Sequence, residues 1–303
     1  MDAPETSGVA LIAPASLGAL VEQHGGALDD ALAAHRDLVV HRLGPSDHAG
    51  TFELAPILHA RGAARRVTSS PDRVWLVARS VADAVPSGRR WVHPDAEALV
   101  ATLLAAPDAP KFDLVEPGVR VGEGAFLERG AVLGPNAVIY PGVRVGRDVV
   151  IGAGCVVGRP GFGFVDRRDG APPLRLPHRA GVVLEDGVEL GPLCTIDAGV
   201  LSPTIIGAHS KLDAQVHVGH GVTIGRGCRV AAQVGFAGSV VVEDDVRIGG
   251  QAGIADHVHI GRGARIAAKA GVIGDVPAGA VFAGYPAVAR ARWLRGHARL
   301  YKR

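Results

Sequence analysis

The chain has 303 residues, a formal net charge of +2, 48% hydrophobic residues and only 4% aromatic ones. That is enough for two or three structural units with ample core, and a charge so near neutral argues neither for nor against a nucleic-acid partner; none is expected. No run of eighteen apolar residues occurs and the opening MDAPETSGVA lacks the basic and apolar regions of a signal peptide, so a cytoplasmic protein without a transmembrane segment is expected.

Residues 1–110 show short β-rich runs at Val9 to Ile12, Leu38 to Val40 and Val74 to Val77. These alternate with Ala-rich stretches, Leu54 to Ala64 and Ala96 to Ala105, the last opened by His93-Pro94-Asp95. The pattern predicts a small α/β domain. Ala106 to Pro110, rich in Ala and Pro, marks its end.

A period of six then begins. Val115, Val121, Leu127, Leu133, Ile139, Val145, Ile151 and Val157 occupy every sixth position. The period breaks between Gly158 and Val182, in a segment rich in Pro, Gly and Arg, and resumes at Leu184, Leu190 and Ile196. After a slip of four residues around Leu201 to Thr204 it runs without exception from Ile206 to Val272. Two residues before each aliphatic position stands a small or β-branched one, such as Val216, Val222, Cys228 and Val234. This fits neither a helix nor an alternating strand. It predicts a parallel β-helix of hexapeptide repeats over 111–282, with three short strands per coil of about eighteen residues and coils stacked at about 4.8 Å. The break at 158–182 is expected as an extruded loop on the binding face. Cys155, Cys194 and Cys228 share the small inward register and read as buried hydrophobes.

Past Val272, Pro and Gly residues end the coils. The C-terminal segment 283–303 is compatible with a helix carrying Arg290, Arg292, Arg295, Arg299, Lys302 and Arg303 without one acid from Ala287 on. It reads as a solvated face or as a docking surface for an acidic partner.

Position within the coil separates a few of the thirteen histidines. Gly238 follows His220 by one coil and should stack on it, and His257 lies two coil spacings away, about 10 Å. Asp213 occupies the preceding corner, within expected reach of His220. Such an Asp, His and bare Gly amide suit acyl transfer to an amine: a base, a carboxylate that fixes its tautomer, and a donor to the oxyanion. Spacing alone is equally met by surface histidines at turns. No third ligand of suitable spacing points to a metal.

The run KLDAQVHVGHGVTIG from Lys211, followed by FAGS, RIGGQAGIADHVHIG and the earlier GFGF at Gly161, Phe162, Gly163 and Phe164, resembles the UDP-3-O-acylglucosamine N-acyltransferases of lipid A (lipopolysaccharide) biosynthesis. The resemblance is specific from about residue 115 onward. It implies a mainly β fold: a left-handed parallel β-helix behind a small N-terminal α/β domain that binds the nucleotide sugar. It further implies a homotrimer with active sites between subunits. The reaction implied is transfer of a 3-hydroxyacyl chain from the phosphopantetheine of acyl carrier protein to the 2-amine of a UDP-sugar, with no bound cofactor. By matching position, His220 would be the base, Asp213 its orienting partner, Gly238 the oxyanion donor and His257 an aid to binding or to the oxyanion. Gly161 to Phe164 would bind substrate. TFELAPIL matches the family's uridine segment in Thr51, Phe52 and Pro56, while Ala55 and Leu58 replace the usual Asn and Tyr. On this reading Arg292, Arg295 and Arg299 would meet the carrier protein. Two further classes stay open: an acetyl-coenzyme A dependent acetyltransferase of the wider hexapeptide group, which shares VPAGAVFAGYPA, and a non-catalytic β-helix scaffold.

Overall fold

The computed structural model describes residues 9–43, 53–58, 67, 73–104, 116–166 and 171–300. The chain divides into two compact units, Met1–Lys111 and Phe112–Arg303.

In the first unit the strands are β1 (Val9–Ser16), β2 (Ala27–Leu28), β3 (Val39–Leu43), β4 (Glu53–Ile57), β5 (Val74–Ala78) and β6 (Arg90–His93). They form one sheet in the order β1-β3-β4-β5-β6-β2. The inner pairs β3/β4, β4/β5 and β5/β6 are parallel, and the edge pairs β1/β3 and β6/β2 are antiparallel. Every residue of β5 is buried, as expected of a central parallel strand covered on both sides. One side packs Leu54, Leu76 and Trp91 against Leu17 and Leu20 of helix α1 (Leu17–His24) and Leu99 of a later helix (Ala96–Leu104). The other packs Ala55, Ile57, Trp75 and Val77. The Ala-rich stretch from Leu54 thus opens as strand β4. Its Ala55 is fully buried, because alternation along β4 turns that side chain into the second core cluster.

The second unit is the left-handed β-helix. Its short strands stack into three sheets of eight, seven and nine strands, parallel throughout except for the last pair of the nine, Val281–Ala283 with Val288–Ala289. We designate as face 1 the sheet holding His217–Val218, as face 2 that holding Thr223–Ile224 and as face 3 that holding Lys211–Leu212. Each strand pairs with the residue one coil on: His217 with Gly235, Thr223 with Val241, Lys211 with Arg229. Backbone N–H groups donate to the carbonyls of the next coil, as from Gly219 to Phe236 (2.9 Å) and Gly225 to Val242 (2.7 Å). The two inward registers form a single buried stack from Ala131 to Val276, the three cysteines included. Val121, in the same register, is 45% exposed, since its strand has a ladder neighbour on one side only.

Corner residues adopt positive φ in columns. Gly221, Ser239 and His257 form one; Gln215, Gln233, Gln251 and Lys269 form another. In the second column the Gln251 amide donates to Gln233 and the Gln233 amide to Gln215, each at 2.7 Å.

Irregularities fall at the corner between faces 1 and 2. Val143 pairs with Val182 across the 158–181 insertion, whereas an ordinary coil repeats at 18. The insertion folds out as a hairpin, Phe164–Val165 against Leu174–Arg175. One coil later the four-residue slip separates Thr195 from its ladder partner His217 by 22.

Among the described residues, Phe236 is the aromatic side chain almost fully buried in the aliphatic column, on the coil of Gly238, while Phe282 stands half-buried at the end of that column beside Ile266. Phe236→Ala removes that filling and leaves a cavity the stacked coils cannot close. A loss of about 3–5 kcal/mol in unfolding free energy is expected, read from chemical denaturation followed by far-UV circular dichroism.

Candidate active site

The face 1 to face 2 corner collects, on successive coils, the insertion, the loop after Asp197, His220, Gly238 and then Asp256 with His257. Ladder register alone accounts for this: the N–H of Ser239 donates to the His220 carbonyl (2.9 Å) and that of His257 to the Gly238 carbonyl (3.1 Å). The Gly238 N–H has no acceptor among the described residues. A Cβ at Gly238 would lie 2.6 Å from Cε1 and Nε2 of His220. Only glycine therefore lets the imidazole sit directly against this amide.

The insertion brings in groups with no repeat register. Its His178, 7% exposed, meets His220 edge to face with ring centroids 5.0 Å apart. Gly161 and Gly163 close over His178, where a Cβ would come within 3.0 Å and 2.7 Å of its ring. Neither ring nitrogen of His178 finds a hydrogen-bond partner among the described residues. Phe162 is 83% exposed and packs edge to face on Phe164, whose ring lies under the Arg175 guanidinium (4.8 Å). Phe162, Asp197, His217, Gly219, His220, Gly235, Gly238 and Asp256 line a cavity of about 440 Å³. Phe164 is not among its walls.

The carboxylate that one chain brings to His220 is Asp197. Its side chain is 2% exposed, with Arg159 Nε at 2.8 Å and His217 Nε2 at 3.9 Å. His217 Nδ1 is in turn 2.7 Å from the Thr195 hydroxyl. Burial pushes the Asp197 carboxyl up, against the pull of Arg159 and the histidines. Burial pushes the His220 pKa below its ordinary 6.5, His178 adds to that, and Asp197 opposes it. His220 is thus neutral at neutral pH, and the nearby carboxylate favours its protonated form when a proton arrives.

Asp213 corrects the expectation of reach. It stands at the corner between faces 3 and 1, exposed, with its own carboxylate accepting from the Ala214 N–H (2.7 Å). His220 stands at the other end of face 1, so the seven-residue separation spans a face and does not bring the two together within a chain. Gly238 and His257 do share the corner of His220, with His257 exposed. Phe52 lies outside the described residues. Arg292, Arg295 and Arg299 are exposed along the C-terminal helix Arg290–Leu300. Sequence reasoning missed Asp197, Arg159, His178 and His217 as site residues. For Asp197 and His217 a signal existed: they sit on adjacent coils of face 1, next to the corner already singled out.

Comparison with known proteins agrees with the fold. Residues 124–159 and 203–238 match the bacterial transferase hexapeptide (six repeats), and residues 239–273 match the hexapeptide repeat of succinyl-transferase. A UDP-3-O-acylglucosamine N-acyltransferase of Synechococcus elongatus is 55% identical over 138 residues, 46% of this chain and 38% of that protein. One from Parasynechococcus marenigrum is 57% identical over 138 residues, 46% of this chain and 39% of its own length. The matched region thus spans about two fifths of these relatives. The crystal structure of a UDP-N-acetylglucosamine acyltransferase from Bacteroides fragilis superposes with a TM-score of 0.50 at 20% identity, covering 61% of this chain and 78% of that one. This chain thus carries hexapeptide repeats over residues 124–159, 203–238 and 239–273 and, over 46% of its length, is similar in sequence to part of the UDP-3-O-acylglucosamine N-acyltransferases.

Proposed function

We propose that this chain is a cytoplasmic N-acyltransferase that moves a 3-hydroxyacyl chain from acyl carrier protein to the 2-amine of a UDP-3-O-acylglucosamine, in lipid A biosynthesis. The observation that carries the reading is the seating of a neutral, desolvated imidazole, His220, against the unengaged N–H of Gly238. The names of the relatives supply the substrate class.

In this reaction the amine nitrogen attacks the thioester carbonyl of the phosphopantetheine arm. His220 takes the proton that the nitrogen sheds as the N–C bond forms, and the Gly238 N–H faces the developing oxyanion. Collapse breaks the C–S bond, and the proton passes from His220 to the leaving sulfur. Asp197 stabilises the imidazolium in between, and His257, one coil beyond Gly238, assists binding or the oxyanion. Phe162 and the glycines beside it shape the mouth for the substrate, and Phe52 belongs to the uridine segment of the N-terminal unit. Arg292, Arg295 and Arg299 offer an acidic carrier a cationic helix. No bound cofactor has a part in this scheme, and the acyl group arrives on the carrier. No helix among the described residues is long and apolar enough to cross a membrane.

The reading includes a homotrimer with sites between subunits, since a lone triangular prism exposes long flat faces and threefold closure covers one face of each coil with a neighbouring subunit. Asp213 then acts on a base only if a neighbouring subunit presents one to it.

Light scattering should report a trimer at micromolar concentration; a stable monomer would contradict the assembly. His220→Ala should lower turnover by about two to four orders of magnitude with the fold intact, and unchanged turnover with either an acyl-carrier or a coenzyme A donor would remove His220 from the mechanism. Asp197→Asn should slow the reaction more than Asp213→Ala. The acidic limb of kcat/KM against pH should lie below 6.5, because the lowered pKa keeps His220 a free base there. Asp197→Asn deletes an attraction for the imidazolium and should move that limb to lower pH. His178→Gln deletes a repulsion and some burial, and should move it to higher pH. Shifts of both variants in one direction would rule out this electrostatic assignment.

A further inference from the structure

Face 3 carries a column of cations that the acyl-transfer chemistry does not use. Lys211, Arg229, Arg247 and Arg265 pair in successive parallel registers, so their outward side chains rise one above another at the strand spacing, about 4.8 Å. Lys211 is paired with Glu189. Arg229, Arg247 and Arg265 are exposed and have no acidic partner among the described residues. Like charges stacked across a ladder repel one another. The same outward register holds Gly235, Gly253 and Gly271 on face 1, and Thr223, Val241 and His259 on face 2. The repulsion is therefore particular to face 3 and not a requirement of the coil.

The column also leads somewhere. Below Arg265 the same sheet continues through Val281–Ala283 and Val288–Ala289, and the C-terminal helix begins at the next residue, Arg290. Val281 follows Arg265 in the register, and the exposed Arg290, Arg292, Arg295 and Arg299 belong to the helix that leaves this end of face 3. The column itself forms part of the wall of a groove of about 830 Å³, whose other walls include Gly191, Ala231 and Gly249 along one corner and whose acids are Glu189, paired with Lys211, and Asp213 at the end away from Arg247 and Arg265.

We propose that Arg229, Arg247 and Arg265 form, together with the C-terminal helix, one docking track for an acidic helical protein, the carrier that delivers the acyl group. This rests on the acyl-carrier reading given above. Charge complementarity selects the partner. Carboxylates on one face of a helix recur about every 5–6 Å, close to the rise of the arginine column, and each guanidinium can take a carboxylate in a two-pronged bond. A column one residue wide along a groove wall suits a rod, whereas a flat anionic surface would call for cations spread across the face. The three arginines span about 10 Å, comparable to the screening length of about 8 Å at physiological salt, so they act on an approaching anion as one charge cluster.

The test uses the full chain and its Arg229→Ala/Arg247→Ala/Arg265→Ala variant. Binding is read by anisotropy of dye-labelled acyl carrier protein, and kinetics with acyl-carrier and acyl-pantetheine donors. At physiological salt the variant should raise both the carrier Kd and the carrier KM about tenfold. Its salt dependence should flatten, kcat/KM with acyl-pantetheine should hold within about twofold, and light scattering should show an unchanged oligomer. If Arg292→Ala/Arg295→Ala/Arg299→Ala raises the carrier KM while the face 3 variant leaves it alone, the column is not part of the track, although the carrier reading stands. Equal losses with both donors, or an altered oligomer, would overturn the proposal in favour of a structural or intersubunit column. If the unmodified protein uses the carrier donor no better than acyl-pantetheine, the carrier reading itself fails.

Discussion

The constraint on which this molecule depends is that each coil must satisfy the backbone of the next. A strand of two or three residues has no stability of its own. It persists because its N–H groups meet carbonyls one coil along, as from Gly219 to Phe236, while two inward side chains close the interior. Extra residues within a strand would shift every pairing beyond them. The chain therefore admits insertions only where one face turns into the next, and both large irregularities of the β-helix use the same corner. Chemistry gathers there for the same reason: the corner is where the fold tolerates residues that obey no period.

The site inherits its electrostatics from that placement. Asp197 occupies an ordinary outward strand position beside Gly219, and an outward carboxylate on a bare β-helix would be solvated. Here it is almost wholly buried, next to a guanidinium contributed by Arg159 from the coil before. His220 is half-buried against a histidine ring from the insertion. Burial raises the Asp197 carboxyl and lowers His220, so the placement that removes both from water also sets their proton affinities.

The period of six made the β-helix, its three buried cysteines, the position of the insertion and the four-residue slip legible in the sequence. It also placed His220, Gly238 and His257 at one corner, since they differ by one and two coils. The same period places Asp213 one corner before His220, and because a separation near six crosses a whole face of a triangular coil, that step does not bring the two together within one chain. His178 was beyond the reach of periodicity because the hairpin, not a repeat, decides where it lands. In the first unit, Ala55 belongs to a strand that composition does not distinguish from a helix: Leu54 to Ala64 is rich in Ala, yet β4 is held by ladder partners on β3 and β5.

The glutamine column at the face 3 to face 1 corner bears on how such a chain can change over time. Gln215, Gln233 and Gln251 each occupy a strained turn, and their amides form a directed chain in which the middle residue both gives and receives a bond. Replacing Gln233 alone would break both bonds, but all three side chains are exposed, and the freed amides turn to water at small cost. What each position must keep is tolerance of the left-handed turn, which Asn, Asp and Gly also supply. This edge can therefore change one residue at a time, provided the turn is kept.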